Sequence, residues 1–186
     1  MKPMLPRLAA LFAATLFTAT LFTAACLAEP AAGAEEAGYA ATVTAVADGD
    51  TVRVSDSHGR SRRVRLAYID APEMSQAGGI ASRDALRQAV LGQKVRVEVF
   101  DTDQYRREVA RISLSGRDVN LGQLANGHAW HYRSIARRRQ DKADYARYTE
   151  AEQNARKTRS GLWRNSGTEA PWDYRRRERH HDNRAE

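Results

Sequence analysis

The chain has a single cysteine, Cys26, among its 186 residues. One thiol excludes an intramolecular disulfide and any zinc cluster built on cysteine pairs. The fold must therefore hold by packing one hydrophobic core, and about 120 residues are ample for that. No internal repeat is present, which argues against a solenoid or propeller. Acidic residues are missing from the first 28 positions, and long apolar runs are missing after them.

The N-terminus is what an export signal requires. Lys2 and Arg7 form a short basic region, and Leu8 to Ala25 is an uncharged run of Ala, Leu, Phe and Thr. Small residues follow, so residues 1–28 are expected to be a signal peptide. A retained N-terminal anchor is the competing reading, because the run is long enough to span a bilayer. Thr23-Ala24-Ala25-Cys26 also resembles a bacterial lipobox, which would end the signal at residue 25 and place a lipid on Cys26. Either processing route implies a periplasmic or secreted protein, lipid-anchored in the second case. Residues 29–38 are rich in Ala, Gly and Glu and read as a flexible tether.

Setting aside Lys2 and Arg7 leaves 28 basic against 23 acidic side chains, a surplus of five. A basic surface suits an anionic partner such as nucleic acid, although solubility alone accounts for the same number.

Alternation marks the strands. Ala41–Val46, Thr51–Val54, Arg62–Ile69, Val95–Val99 and Val109–Leu114 each alternate apolar with polar residues. Ile80–Leu91 has helical spacing and ends at Gly92. Asn120–Asn126 is a short helix stopped by Gly127, and Asp141–Arg159 is the longest. Three strands, a helix, two strands and then helices describe a five-stranded Greek-key OB-fold barrel, with a helix between strands three and four. That domain is expected over residues 39–165. The arginine-rich tail, residues 166–186, has no apolar period and is expected to lack regular structure.

Four segments carry polar chemistry: Asp48-Gly49-Asp50-Thr51, Arg65 through Glu73, Asp103-Gln104-Tyr105-Arg106-Arg107, and Trp130-His131-Tyr132-Arg133. Singly, each has an ordinary explanation as a hairpin turn, a strand end, a solvated charge run or a core aromatic cluster. Jointly, in this order on this strand pattern, they resemble the signature segments of the staphylococcal-nuclease-like (thermonuclease) family. The likeness extends through Gly127-His128-Ala129-Trp130 and Ser160-Gly161-Leu162-Trp163 to Ala170-Pro171-Trp172-Asp173.

That resemblance implies a Ca²⁺-dependent nuclease. Asp50, Asp70 and the backbone carbonyl of Ala71 would hold the cation. Glu73 would orient or deprotonate the attacking water, and Arg65 and Arg107 would bind the phosphate oxygens. The chemistry is coherent: a hard cation takes oxygen ligands, and planar guanidinium forks clamp phosphate bidentately. Tyr105 and Tyr132 would stack on bases, which is sequence-tolerant and suits DNA and RNA alike, single-stranded or frayed. The family further implies 3′-phosphate products, a monomer and no protein partner. The alternative is an OB module that binds nucleic acid without cutting it.

Two departures from the family pattern bear on this. Arg106 stands where the family has glycine, so either the turn is not left-handed or the loop is shifted, and Arg106 competes with Arg107 for the phosphate role. The spacing from Asp103 and Tyr105 favours Arg107. The loop from Met74 to Gly79 is short and carries over no substrate contacts. None of the five histidines matches a family catalytic position, and His180-His181 reads as a solvated pair.

Overall fold

A computed structural model describes residues 38–185. The signal-peptide, lipobox and Cys26 readings lie outside the described residues, as does most of the tether. Among the described residues, no helix is long and apolar enough to cross a membrane.

The strands are β1 Tyr39–Val46, β2 Thr51–Asp56, β3 Ser61–Leu66, β4 Ile69–Asp70, β5 Lys94–Thr102, β6 Glu108–Leu114, β7 Arg117–Asp118 and β8 Trp130–His131. The helices are α1 Gly79–Val90, α2 Val119–Ala125, α3 Arg133–Arg139, α4 Lys142–Lys157 and α5 Pro171–Ala185. The main sheet runs β3-β2-β1-β5-β6-β7, and β3 also pairs with β6. That last pairing is parallel while the others are antiparallel. It closes β1, β2, β3, β5 and β6 into a mixed five-stranded barrel, the expected OB-type architecture.

Alternation explains the barrel interior. Val43, Val52, Val54, Val64, Leu66, Val97 and Ile112 are buried, while Arg53, Arg63 and Lys94 on the same strands face water. Leu86 and Val90 of α1 and Leu124 of α2 close the core. Each such side chain contributes about 1.5–3 kcal/mol of apolar burial. Helix α4 is capped by Asp141, whose side chain accepts from the Ala143 and Asp144 backbone N–H groups. It buries Tyr148, Glu152 and Ala155 along one face.

The structure departs from the sequence reading in three places. The strand expected across Arg62–Ile69 is broken: β3 ends at Leu66, and Tyr68 sits at φ 64 before β4 begins. A left-handed tyrosine redirects the chain, so Ile69 and Asp70 pair with His131 and Trp130 of β8 instead of continuing the barrel. Basic helix α3 was not anticipated. The tail expected to lack regular structure contains helix α5. Its start carries local helix signals, with Pro171 at the first position and Asp173 in the first turn.

Candidate active site

Strand register brings the first elements together. Thr51 of β2 lies directly opposite Arg65 of β3, and Arg65 is in turn paired with Val109 of β6. The Asp48-Gly49-Asp50 turn therefore stands beside the end of β3. Gly49 is needed here for close approach: a Cβ would lie 1.9 Å from Ser82 Oγ and 2.6 Å from the Ala71 Cβ. The turn is thus pressed against the segment that carries Asp70 and Ala71. The Asp50 backbone carbonyl accepts from the Leu66 N–H at 2.7 Å, and its Oδ2 accepts from the Ala71 N–H at 2.8 Å.

Arg65 joins the two aspartates. Its Nη1 lies 3.0 Å from Asp50 Oδ2, and its Nη2 lies 3.0 Å from Asp70 Oδ1. Nη1 also donates to the Leu66 and Ile69 carbonyls at 3.0 and 2.9 Å. Both carboxylates are withdrawn from water, Asp50 at 5% exposure and Asp70 at 1%. Burial works to lower the Arg65 pKa, but the charges of Asp50 and Asp70 outweigh it and raise it.

Arg107 enters from the turn between β5 and β6. Its Nε donates to Asp103 Oδ2 at 2.7 Å and its Nη1 to Thr51 Oγ1 at 3.3 Å. Thr51 Oγ1 in turn donates to Asp50 Oδ1 at 3.1 Å. Arg106 is left-handed, at φ 58. The turn thus keeps the conformation that glycine would favour, and an arginine adopts it. Asp103 Oδ1 supports this shape by accepting from the Tyr105 and Arg107 N–H groups, both at 2.9 Å. Arg106 itself is exposed, whereas Arg107 reaches Thr51, so the structure places Arg107 beside the aspartates.

Sequence reasoning missed one site residue, Arg175 of α5. Its Nη2 donates to Asp70 Oδ2 at 2.7 Å, and its Nη1 donates to Glu73 Oε1 at 2.8 Å and Asp70 Oδ1 at 3.3 Å. Burial opposes its charge, but hydrogen bonds to Asp70 and Glu73 hold its pKa above the usual arginine value. The one local signal was of a helix start, Pro171 at the first position and Asp173 in the first turn; nothing in the spacing points Arg175 at Asp70.

A continuous polar chain therefore runs Arg107–Thr51–Asp50–Arg65–Asp70–Arg175–Glu73. All but Thr51 line one cleft of about 1680 Å³. The two aromatic candidates differ. Tyr105 is 60% exposed, with Arg107 5.4 Å from its ring centroid. Tyr132 is stacked against Trp172 of α5, centroids 5.7 Å apart at 21°.

The cleft is short of positive charge at its acidic end. Burial, then the charge of Asp50, pushes Asp48 up to about 6. Burial raises Asp70 despite Arg175 and Arg65. An all-oxygen, under-neutralised donor set fits a hard divalent cation. No group of three or more His, Cys, Asp or Glu side chains suited to hold a metal occurs among the described residues. The side chains of Asp50 and Asp70 would then need main-chain oxygen and water to complete a coordination sphere, an irregular arrangement that Ca²⁺ tolerates.

The sequence profile described as "Staphylococcal nuclease homologue" matches residues 63–165. The chain belongs to that family. It is 34% identical over 149 residues to a protein of Shigella flexneri named micrococcal nuclease, covering 75% of this chain and 82% of that one. It is also 34% identical over 137 residues to an uncharacterized endonuclease of Haemophilus influenzae, covering 74% and 73%. A rice protein named probable staphylococcal-like nuclease CAN2 (Oryza sativa subsp. japonica) is 38% identical over 120 residues. That alignment covers 64% of this chain but only 31% of the rice protein, so the match there is to a part of a longer chain.

Proposed function

We propose that the chain is a Ca²⁺-dependent nuclease that hydrolyses phosphodiester bonds in DNA and RNA with little sequence preference. The observation that carries this reading is the single polar chain from Arg107 to Glu73, which links three guanidinium groups, two buried aspartates and a partly exposed glutamate in one cleft.

Each residue has a task set by its position. Asp50 and Asp70, with the Ala71 carbonyl, would hold a cation that neutralises phosphate charge and lowers the pKa of bound water. Glu73 is the carboxylate least withdrawn from solvent in the polar chain, with a side chain 41% exposed, and takes the proton of the attacking water. Arg65 and Arg107 bind the equatorial oxygens as negative charge builds. Tyr105, open to solvent, offers a face to a base of either nucleic acid. The products by this reading are a 3′-phosphate and a 5′-hydroxyl, and the enzyme acts as a monomer outside the cytoplasm. The altered turn favoured a binding module without catalysis; Arg106 at φ 58 keeps the turn left-handed, which removes that argument.

The test is cleavage of a single-stranded oligonucleotide and of duplex DNA, with Ca²⁺ and with chelator. Hydrolysis is expected only with the cation, faster on the single strand. Oligonucleotide that is bound yet intact at every Ca²⁺ concentration would show a binding module instead.

A further inference from the structure

Helix α5 touches the two places that the proposed reaction most needs open. Arg175 engages both oxygens of Asp70, at 3.3 and 2.7 Å, and one oxygen of Glu73. Trp172, one turn earlier on the same helical face, covers the ring of Tyr132. Asp70 Oδ1 already accepts from Arg65, so Oδ2 is the oxygen that Arg175 alone holds among the described residues. A cation approaching Asp70 from the Glu73 side meets a guanidinium already bound there.

We propose that Arg175 is a third arginine of the site: an internal counter-ion for Asp70 and Glu73 that a divalent cation displaces from Asp70. The inference rests on the cation role given to Asp70 above. Its basis is electrostatic. With Arg65 alone, two buried aspartates and a glutamate share one compensating charge, and α5 supplies the second. A divalent ion satisfies the same oxygens with twice the charge, and the two cannot occupy Asp70 Oδ2 together.

The helix is built to let go at one end. Its start is anchored: Pro171 is buried, and Gln76 Nε2 donates to the Glu169 carbonyl at 2.6 Å. Beyond Arg175 the helix is charged and mostly exposed. Release of Arg175 therefore loosens the mostly exposed segment beyond it, while Pro171, the Trp172–Tyr132 stack and the Ser75–Tyr174 hydrogen bond keep the start of the helix in place.

The experiment is calorimetric titration of the full chain with Ca²⁺, without nucleic acid, for the wild type, R175Q and R175K. Circular dichroism and thermal melting check that the variants fold. Removing the competitor is expected to tighten Ca²⁺ binding about three- to tenfold in R175Q, with R175K between, since one partly exposed charged pair is at stake. Hydrogen exchange supplies a second readout: Ca²⁺ should speed exchange in 176–185 of the wild type and change little in R175Q, where the restraint is already gone. Ca²⁺ affinity that is unchanged or weaker in folded R175Q overturns the inference and leaves the nuclease reading standing. Absence of Ca²⁺ binding in all three proteins overturns the cation role of Asp70, and this inference with it. Should R175Q fail to fold, R175K carries the same comparison.

Discussion

Arginine does opposite things in two parts of this molecule. In the cleft, Arg65, Arg107 and Arg175 each bind a carboxylate, at 3.0, 2.7 and 2.7 Å. On the outer face of the barrel, Arg53 of β2 and Arg63 of β3 stand directly opposite each other in register, and Arg106 borders the same hollow. None of these three binds a carboxylate among the described residues; Arg63 donates to the Tyr105 carbonyl. Like charges facing each other across strands are unfavourable. The cleft arginines are therefore part of the fold as well as of the proposed chemistry, whereas the outer ones add charge that no carboxylate among the described residues balances. Substitution should separate the two sets.

The largest effect is expected at Arg65. Arg65→Ala leaves Asp50 and Asp70 buried without their shared partner, which costs about 3–5 kcal/mol for a broken buried pair. It also removes charge stabilisation from the transition state, worth about 10²–10³ in kcat. Thermal melting and turnover should fall together, and Ca²⁺ should restore part of the stability by supplying charge to the same carboxylates, but not the turnover. Arg65→Lys should recover little, because one ammonium cannot reach two carboxylates and two carbonyls as the guanidinium does. A variant that melts like the wild type would break the claim that cleft arginines are structural.

Arg106 and Arg107 are adjacent yet fall on opposite sides of the comparison. Arg107→Ala should lower kcat by about 10² or more, with a smaller loss of stability than at Arg65, since Asp103 is not fully buried. Arg106→Gly should leave kcat on a short oligonucleotide unchanged. It should raise stability by about 1 kcal/mol, because glycine adopts φ 58 without a Cβ penalty. If Arg106→Gly abolished cleavage and Arg107→Ala did not, the phosphate role would belong to Arg106.

The contrast also shows why part of the site was legible in sequence and part was not. Strand alternation marks β1, β2, β3, β5 and β6, since each buries one side in the barrel. The same alternation runs unbroken through Val64, Leu66 and Tyr68, so nothing local announces that Tyr68 turns left-handed and sends Asp70 to β8. Asp50, Asp70, Glu73, Arg65 and Arg107 were singled out because the short segments that carry them resemble the family's signature segments, and the structure gathers all five in one cleft. Arg175 was not, because its partners lie 105 and 102 residues away and its helix is too polar to show an apolar stripe. Such a helix has little packing to stabilise it, and i, i+3 pairs such as Asp173–Arg176 add only a few tenths of a kcal/mol. Its docking through Pro171, Trp172 and Arg175 is a tertiary fact.

The smallest effect is expected on the outer face, and it depends on substrate length. Arg63 and Arg106 border a shallow groove that also contains Tyr105 and Arg107, so the unpaired charge is continuous with the cleft. A strand leaving the cleft past Tyr105 meets Arg106, then Arg63 and Arg53. The double variant Arg53→Gln/Arg63→Gln should melt no lower than the wild type, since it removes a repulsion. On a long single strand, KM should rise a few-fold at low salt, and the slope of log affinity against log salt should shallow by about 1.4, the share of two lost phosphate contacts. On a dinucleotide, too short to reach the outer face, kcat/KM should not change. An equal loss on both substrates would place these arginines in the cleft's energetics after all, and an unchanged salt slope would leave them as plain surface charge.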